Sequence, residues 1–249
     1  MSAAAESPAW SWEAGPVLAT GPLRCERIEP VDADPPFDRE FLRGLGLSGV
    51  QFGSFRRRVP SCLNIDLRPL TDGTSETGMG RLVLVDGTTY FMRLDVCRPL
   101  PFADGSVEWA YSEHLIEHLR LLDGIAWLTE ARRILAPGGL LRLTTPDLRL
   151  YVESYLAGGG IFAGYRERIR SHGAPAMPER LAFMVNHIFY FWDHRWIYDA
   201  DELRYVLGRA GFPESAMRVR AFREGARPEV AALDDERRDI ETIYVEVEA

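Results

Sequence analysis

Cysteine is scarce in this chain, with three residues in 249, Cys25, Cys62 and Cys97. They are odd in number and far apart, so neither a disulfide framework nor a C-x-x-C metal motif can be built from them. Free thiols in a reducing compartment are the expectation. No run of roughly 18 apolar residues occurs, which excludes a membrane-spanning helix of ordinary length. No basic stretch followed by an apolar run opens the sequence, so a secretory signal is not expected and the expected location is cytoplasmic. Basic charge is also short, with 29 Lys and Arg against 37 Asp and Glu and a net charge of -8. Such a chain repels nucleic acid unless a local basic patch overrides the sum. The densest basic run, Arg56-Arg57-Arg58, is brief, and Arg237-Arg238 is offset by Asp234, Asp235 and Glu236. No nucleic-acid or membrane partner is expected. No internal repeat is present.

What is there reads as alternating strands and helices. Residues 1–36, with Trp10 and Trp12, read as an N-terminal arm, and residues 37–249 as one domain. Residues 37–46 read as a short helix closed by glycine. Strands are expected at 49–54, 62–67, 107–112 and 140–147, and two β-rich runs flank Asp86-Gly87 within 81–96, a hairpin signal. From Glu113 to Leu135 apolar residues recur at three- and four-residue steps, which predicts a helix ended by the APGG segment at 136–139. Asp199–Ala210 is a further helix, with Asp199 as its N-cap. Strands near 217–222 and 241–247 complete an α/β doubly wound pattern.

In an open α/β sheet, ligands bind beyond the carboxyl ends of the strands, where the strand order reverses. The expected ends carry Gly53-Ser54, Asp66, Asp95, the run Tyr111-Ser112-Glu113-His114, and Thr145-Pro146-Asp147. Carboxylates so placed can accept from ribose hydroxyls and from an exocyclic amine.

Three segments, LDVCRPLPFADGSVEWAYSEHLIEHL, EARRILAPGGLLRLTTPDL and IYDADELRYVLGRAGF, resemble the type-11 group of class I methyltransferases that use S-adenosylmethionine (SAM). The likeness spans roughly residues 48–247. It implies a Rossmann-like sheet of seven strands, the last antiparallel, with helices on both faces. It implies SAM as cofactor and S-adenosylhomocysteine (SAH) as product. Gly53 and Ser54 match the loop under the methionine part. Asp66, followed by Leu67, matches the ribose acid, and Asp95 with Val96 the adenine contact. Ser112, Glu113 and His114 match the segment facing the methyl group. The implied activity is methyl transfer to an O or N atom of a small molecule such as a secondary metabolite. A non-catalytic homologue is the alternative.

Two features depart from the group. The loop is FGSFRRR, with one glycine where G-x-G-x-G is usual, and glycine is what permits positive φ and close backbone approach. The interval from Asp66 to Asp95 is long, and the hairpin reads as an insertion that could rim the adenine pocket or mediate a homodimer. His114 is the first candidate base and His194 the second, since an imidazole titrates near the working pH. Tyr151, Tyr155, His187 and Trp192, together with His114, are candidates for the acceptor pocket, with core packing as the competing role for the aromatics. His114-Leu-Ile-Glu117-His118 also fits H-x-x-E-H, an inverted zinc-peptidase pattern. Two histidines and a glutamate are a weak signal, so no metal site is expected.

Overall fold

The computed structural model describes residues 21–172 and 175–249; Trp10 and Trp12 lie outside them. In chain order the strands are β1 (Leu23–Arg24), β2 (Ile28–Pro30), β3 (Gly49–Phe52), β4 (Cys62–Asp66), β5 (Leu70–Thr71), β6 (Leu82–Val85), β7 (Thr89–Arg93), β8 (Val107–Glu113), β9 (Leu135–Pro146), β10 (Arg218–Arg220) and β11 (Thr242–Glu248). The helices are α1 (Arg39–Gly44), α2 (Leu121–Ile134), α3 (Leu148–Leu156), α4 (Phe162–Ser171), α5 (Leu181–Tyr190), α6 (Ala200–Arg209) and α7 (Pro228–Ala231).

Nine strands form the main sheet in the order β10-β11-β9-β8-β3-β4-β7-β6-β2. Its centre, β9-β8-β3-β4-β7, is parallel, and β11 runs antiparallel to β9. This is a Rossmann-like arrangement, with two strands added at one edge. The added strands are β6, antiparallel to β7, and β2, antiparallel to β6. In the hairpin at 81–96, Asp86, Gly87 and Thr88 link the paired Val85 and Thr89, and Asp86 and Gly87 both take positive φ, at 52° and 65°, as its tight turn requires. The segment read as an arm supplies β2, and β1 pairs with β5 in a small parallel sheet.

Alternation along the strands sorts side chains to two faces. Val50, Phe52, Leu63, Ile65, Ala110, Leu141 and Leu143 pack with Trp127, Leu128, Leu203 and Val206 from α2 and α6. On the opposite face Cys62, Trp109, Tyr111 and Leu140 meet Val230 and Leu233, from the short α7 and the turn after it. Long-helix cover is thus concentrated on one face. The crossover from β3 to β4 contains no helix. Residues 53–61 cross as extended chain and turns, held by Asn64, whose Oδ1 accepts from Val59 N (2.7 Å) and whose Nδ2 donates to Val59 O (2.9 Å), and by Gln51, which donates to Arg57 O (3.1 Å). Gly49 is needed at the start of β3 because a Cβ there would lie 2.2 Å from the Trp109 ring.

The helix expected from 113 begins at Leu121 instead. β8 runs on through Glu113, His114 turns the chain at φ 49°, and Ile116–His118 form a 3-10 turn before Leu119 extends again. The apolar periodicity across Leu115 and Leu119 arises because the 3-10 turn buries Ile116 and sets its neighbours against the core, not because a helix is present. The APGG segment belongs to β9, which starts at Leu135. α3, α4 and α5 form a helical cap with its own core of Tyr151, Phe162, Tyr165, Met184, Ile188 and Phe191.

Candidate functional site

β3 lies between β4 and β8, so the strand order reverses there and a crevice opens beyond its carboxyl end. Gly53 leaves β3 at φ 70°, and a Cβ on it would lie 3.3 Å from the Cβ of Leu115. Ser54 N donates to Ile65 O (3.0 Å), which turns the chain toward β4. Phe55 follows at φ 43°. Its backbone N–H donates to Asp66 Oδ2 at 2.7 Å, while Arg68 N donates to Oδ1 at 2.8 Å. Asp66 therefore ties the single-glycine loop to the end of β4. Burial pushes its carboxyl above the ordinary range, against the pull of those N–H groups. Each oxygen keeps one further acceptor position. Leu67 beside it is 56% exposed, an apolar side chain standing at the crevice rim. The guanidinium groups of Arg56 and Arg68 sit 5.3 and 5.0 Å from the Phe55 ring centre. Beyond the loop a cavity of about 460 Å³ is lined by Arg24, Arg56, Arg58 and Arg68.

Two residues beyond β7, Asp95 accepts from Cys97 N (3.0 Å) and keeps a partly exposed carboxylate, with Val96 buried next to it. At the end of β8, Ser112 is fully buried and its Oγ has no hydrogen-bond partner, a condition shared by Ser54 Oγ. Unsatisfied buried hydroxyls aligned with strand ends suit a polar ligand. Gly53, Ser54, Asp66, Leu67, Asp95, Val96 and Ser112 thus stand at or just beyond the carboxyl ends of four neighbouring strands, β8, β3, β4 and β7. The donors and acceptors they offer fit a nucleoside carrying a polar tail. Glu113 does not join them: its Oε1 accepts from Asp235 N (2.7 Å), and its side chain leans toward the loop after α7.

His114 is buried, with both ring nitrogens engaged. Nε2 pairs with Thr242 Oγ1 (2.8 Å), whose own proton goes to Arg238 O, and Nδ1 accepts from Arg238 (2.8 Å). Burial, then the Arg238 charge, drives its pKa well below the usual imidazole value. A neutral ring with its lone pair committed has none left to take a proton or grip an acceptor, so the expected base and substrate roles do not suit it. His194 differs. Its Nδ1 donates to Ile188 O, which leaves a lone pair on Nε2, and burial pushes its pKa down to about 4.

The aromatic candidates divide. Tyr151 is buried in the cap and donates to Glu241 Oε2 (2.5 Å); burial holds its hydroxyl protonated. His187 is buried and stacked on Phe191, with ring centres 4.7 Å apart. Tyr155 is 45% exposed, and Trp192 is half-buried, edge-on to His187 and Phe191. Tyr151 and His187 build the cap, while Tyr155 and Trp192 remain reachable.

Sequence reading passed over Glu117 and His118 as part of a weak motif. Glu117 is fully buried, its Oε2 accepts from Thr145 (3.1 Å), and burial raises its carboxyl to about 8. The His118 and His194 rings meet edge to face at 4.9 Å. The signal available was the Glu117-His118 pair itself, once separated from His114.

Residues 44–143 match the family model described as methyltransferase domain. Among curated proteins none matches by sequence. Solved structures similar to this chain include an S-adenosylmethionine-dependent methyltransferase from Mesorhizobium loti, with 19% identity, 85% of this chain and 98% of that one covered, and a TM-score of 0.44. Another is a SAM-dependent methyltransferase from Archaeoglobus fulgidus, at 11% identity, covering 85% and 92%, with a TM-score of 0.44. A third comes from Thermotoga maritima, at 14% identity, covering 80% and 81%, with a TM-score of 0.42.

Proposed function

We propose, from the match of residues 44–143 to a methyltransferase domain, that this chain uses SAM to methylate an O or N atom of a small-molecule acceptor. The observation that carries this reading is the crevice beyond β3, β4, β7 and β8. It combines a positive-φ glycine turn, two carboxylates with acceptor capacity to spare, and two buried hydroxyls without partners.

When bound, SAM supplies a methyl group already activated on a sulfonium. Asp66 would accept from the ribose hydroxyls through the positions that Phe55 and Arg68 leave open. Asp95 would accept from the adenine amine, with Leu67 and Val96 beside the ring. Ser54 and Ser112 would satisfy their hydroxyls on the polar tail. Methyl transfer is an in-line displacement, so holding the acceptor and excluding water supply much of the rate. Tyr155 and Trp192 of the cap enclose the acceptor. An O–H or N–H acceptor also loses a proton, and the side toward His194, whose Nε2 lone pair is uncommitted, receives it. The chain's net charge of -8 and the absence of an extended basic run support a small molecule over a nucleic acid.

The test is calorimetric titration with SAH, followed by a methyl-transfer screen using labelled SAM. Saturable binding that weakens in Asp66→Ala is the expected result. No binding at millimolar SAH would reject the proposal and leave a non-catalytic partner or scaffold as the reading.

A further inference from the structure

We infer that Glu117, His118 and His194 form a binding site for a divalent transition-metal ion of zinc-like chemistry, with two imidazoles and one carboxylate as its ligands. One donor atom from each residue lies within 4.8 Å of the other two. Glu117 and His118 come from the 3-10 turn after β8, and His194 from the segment between α5 and α6. The two pieces are tied together by their backbones: Glu117 O accepts from Arg195 N (2.6 Å) and from Trp196 N (3.2 Å), which fixes the His194 segment beside the turn.

The surroundings of each donor suit a cation. His194 gives its Nδ1 proton to Ile188 O, so Nε2 faces the cluster as a lone pair. Metal-binding histidines are typically held this way, with the second nitrogen on a carbonyl or carboxylate that fixes tautomer and ring orientation. Glu117 supplies an independent indication. It is fully buried, Thr145 satisfies Oε2, and Oε1 has no hydrogen-bond partner. A buried carboxylate oxygen without a donor is costly unless a proton or a cation satisfies it. His114 Nδ1 lies 3.3 Å from that oxygen but already accepts from Arg238, so it is neither donor nor ligand. The ligand set is thus not the H-x-x-E-H pattern of one helix.

Bonds of about 2.1 Å in a tetrahedral site put donors about 3.4 Å apart. Closing the gap requires side-chain rotation of about an ångström, which exposed His118 can supply. Three protein ligands leave one coordination position for water or for an acceptor atom. Leu115, the residue before the same turn, lies against Gly53, so the turn that carries Glu117 and His118 borders the end of β3. A cation there would lower the pKa of a bound hydroxyl or amine, the task otherwise assigned to His194 as a free base. The inference rests on the cluster's geometry and holds whether or not the methyl-transfer reading does.

The experiment uses the full chain without an affinity tag, stripped with chelator and titrated with zinc chloride by calorimetry. Cobalt(II) absorption provides a second readout. One ion per chain is expected, with affinity falling about 100-fold or more in His194→Ala and in Glu117→Gln. His172→Ala, on an exposed histidine outside the cluster, should bind as the parent does. Circular dichroism checks that each variant folds, and His118→Asn, at an exposed position, serves if the buried substitutions do not. No stoichiometric zinc binding, or affinity unchanged in both His194→Ala and His118→Asn, would overturn the inference. SAH titration of the same proteins separates the two readings: zinc lost with SAH retained, or the reverse, shows which has failed.

Discussion

Replacing Asp66 tests the loop and the proposed cofactor crevice together. Its carboxylate accepts from Phe55 N and Arg68 N at 2.7 and 2.8 Å, and so holds the turn after β3 against the end of β4. Hydrogen bonds to a charged acceptor contribute about 1.5–3 kcal/mol each, and orphaned donors cost about 1–3 kcal/mol where water cannot replace the partner. Phe55 is exposed, so water reaches its N–H in the variant and the lower end applies. The carboxylate also bears a desolvation cost, which is why its pKa is raised. The net loss on Asp66→Ala, in the absence of ligand, is therefore about 2 kcal/mol. Asp66→Asn keeps one acceptor oxygen and loses about 1 kcal/mol. Urea unfolding of both proteins, with unchanged m-values, measures these numbers.

Affinity for SAH carries the second half. Ribose hydroxyls held by a carboxylate are worth about 1.5–3 kcal/mol, so Asp66→Ala should weaken binding roughly 10- to 100-fold, with further loss where the loop itself loosens. Asp66→Asn should fall between parent and Ala. Reduced stability with unchanged SAH affinity would show that Asp66 serves the loop alone and would refute its ribose role. Unchanged stability and unchanged affinity would refute both halves.

Arg142 is buried between Asp234 (2.9 and 2.5 Å) and Glu246 (2.9 Å), linking β9, β11 and the turn after α7, so Arg142→Ala leaves two buried carboxylates and should cost about 3–5 kcal/mol by urea unfolding. Gly53→Ala places a side chain at φ 70° and 3.3 Å from Leu115, so it should cost about 1–2 kcal/mol and weaken SAH binding by calorimetry. Burial pushes Cys62 up to about 12, so its thiol should resist alkylation in the native protein at pH 8 while exposed Cys97 reacts. Because the unfolded thiol ionises near pH 9, its contribution to stability is complete below that pH and declines as pH rises from 9 toward 12. Burial lowers His187 to about 3, so its contribution is present above the unfolded value of 6.5 and is lost as pH falls from there toward 3, on the order of 5 kcal/mol. His187→Phe should flatten that acid limb of the stability profile.

Local rules made much of this architecture legible. Alternating apolar residues located β3, β4, β8 and β11, and Asp86-Gly87 located the β6–β7 turn. Asp199 was identified as the α6 cap, and its carboxylate accepts from Asp201 N and Glu202 N. The resemblance pointed to Asp66 and Asp95, which stand at the end of β4 and just beyond β7. What escaped sequence reading depends on contacts between distant segments. Leu115 and Leu119 keep helical spacing, yet the backbone between them is a 3-10 turn set by His114 at positive φ. Arg238, 124 residues further on, takes the lone pair that made His114 a candidate base. Tyr151 and Tyr155 are one turn apart, but the cap packs over the first and leaves the second exposed.

The single glycine follows from the crossover it begins. In a glycine-rich cofactor loop, the first glycine makes the turn and later ones admit the ligand and let a helix pack closely on the strands. Here no helix follows: residues 53–61 cross in extended form, bound by Asn64, by Gln51 and by Arg57, which reaches the carbonyls of Ala232 and Leu233. Without a helix to pack, the demand for later glycines falls, and Gly53 alone makes the turn with Phe55 accepting a mildly positive φ. A helix N-terminus is also missing beneath the ligand, so its partial positive charge is not available. The Phe55 N–H bound to Asp66 and the flanking Arg56 and Arg68 are the positive groups that remain there. If this account holds, restoring a second glycine by Phe55→Gly should not tighten SAH binding. Relief of the positive φ at position 55 offsets the freedom glycine gains in the unfolded chain, so loss of the Arg56–Phe55–Arg68 stack decides the sign and the turn should loosen. Tighter binding in Phe55→Gly, measured by the same titration, would mean that the phenyl ring obstructs the ligand and that the missing helix is not the reason for the missing glycines.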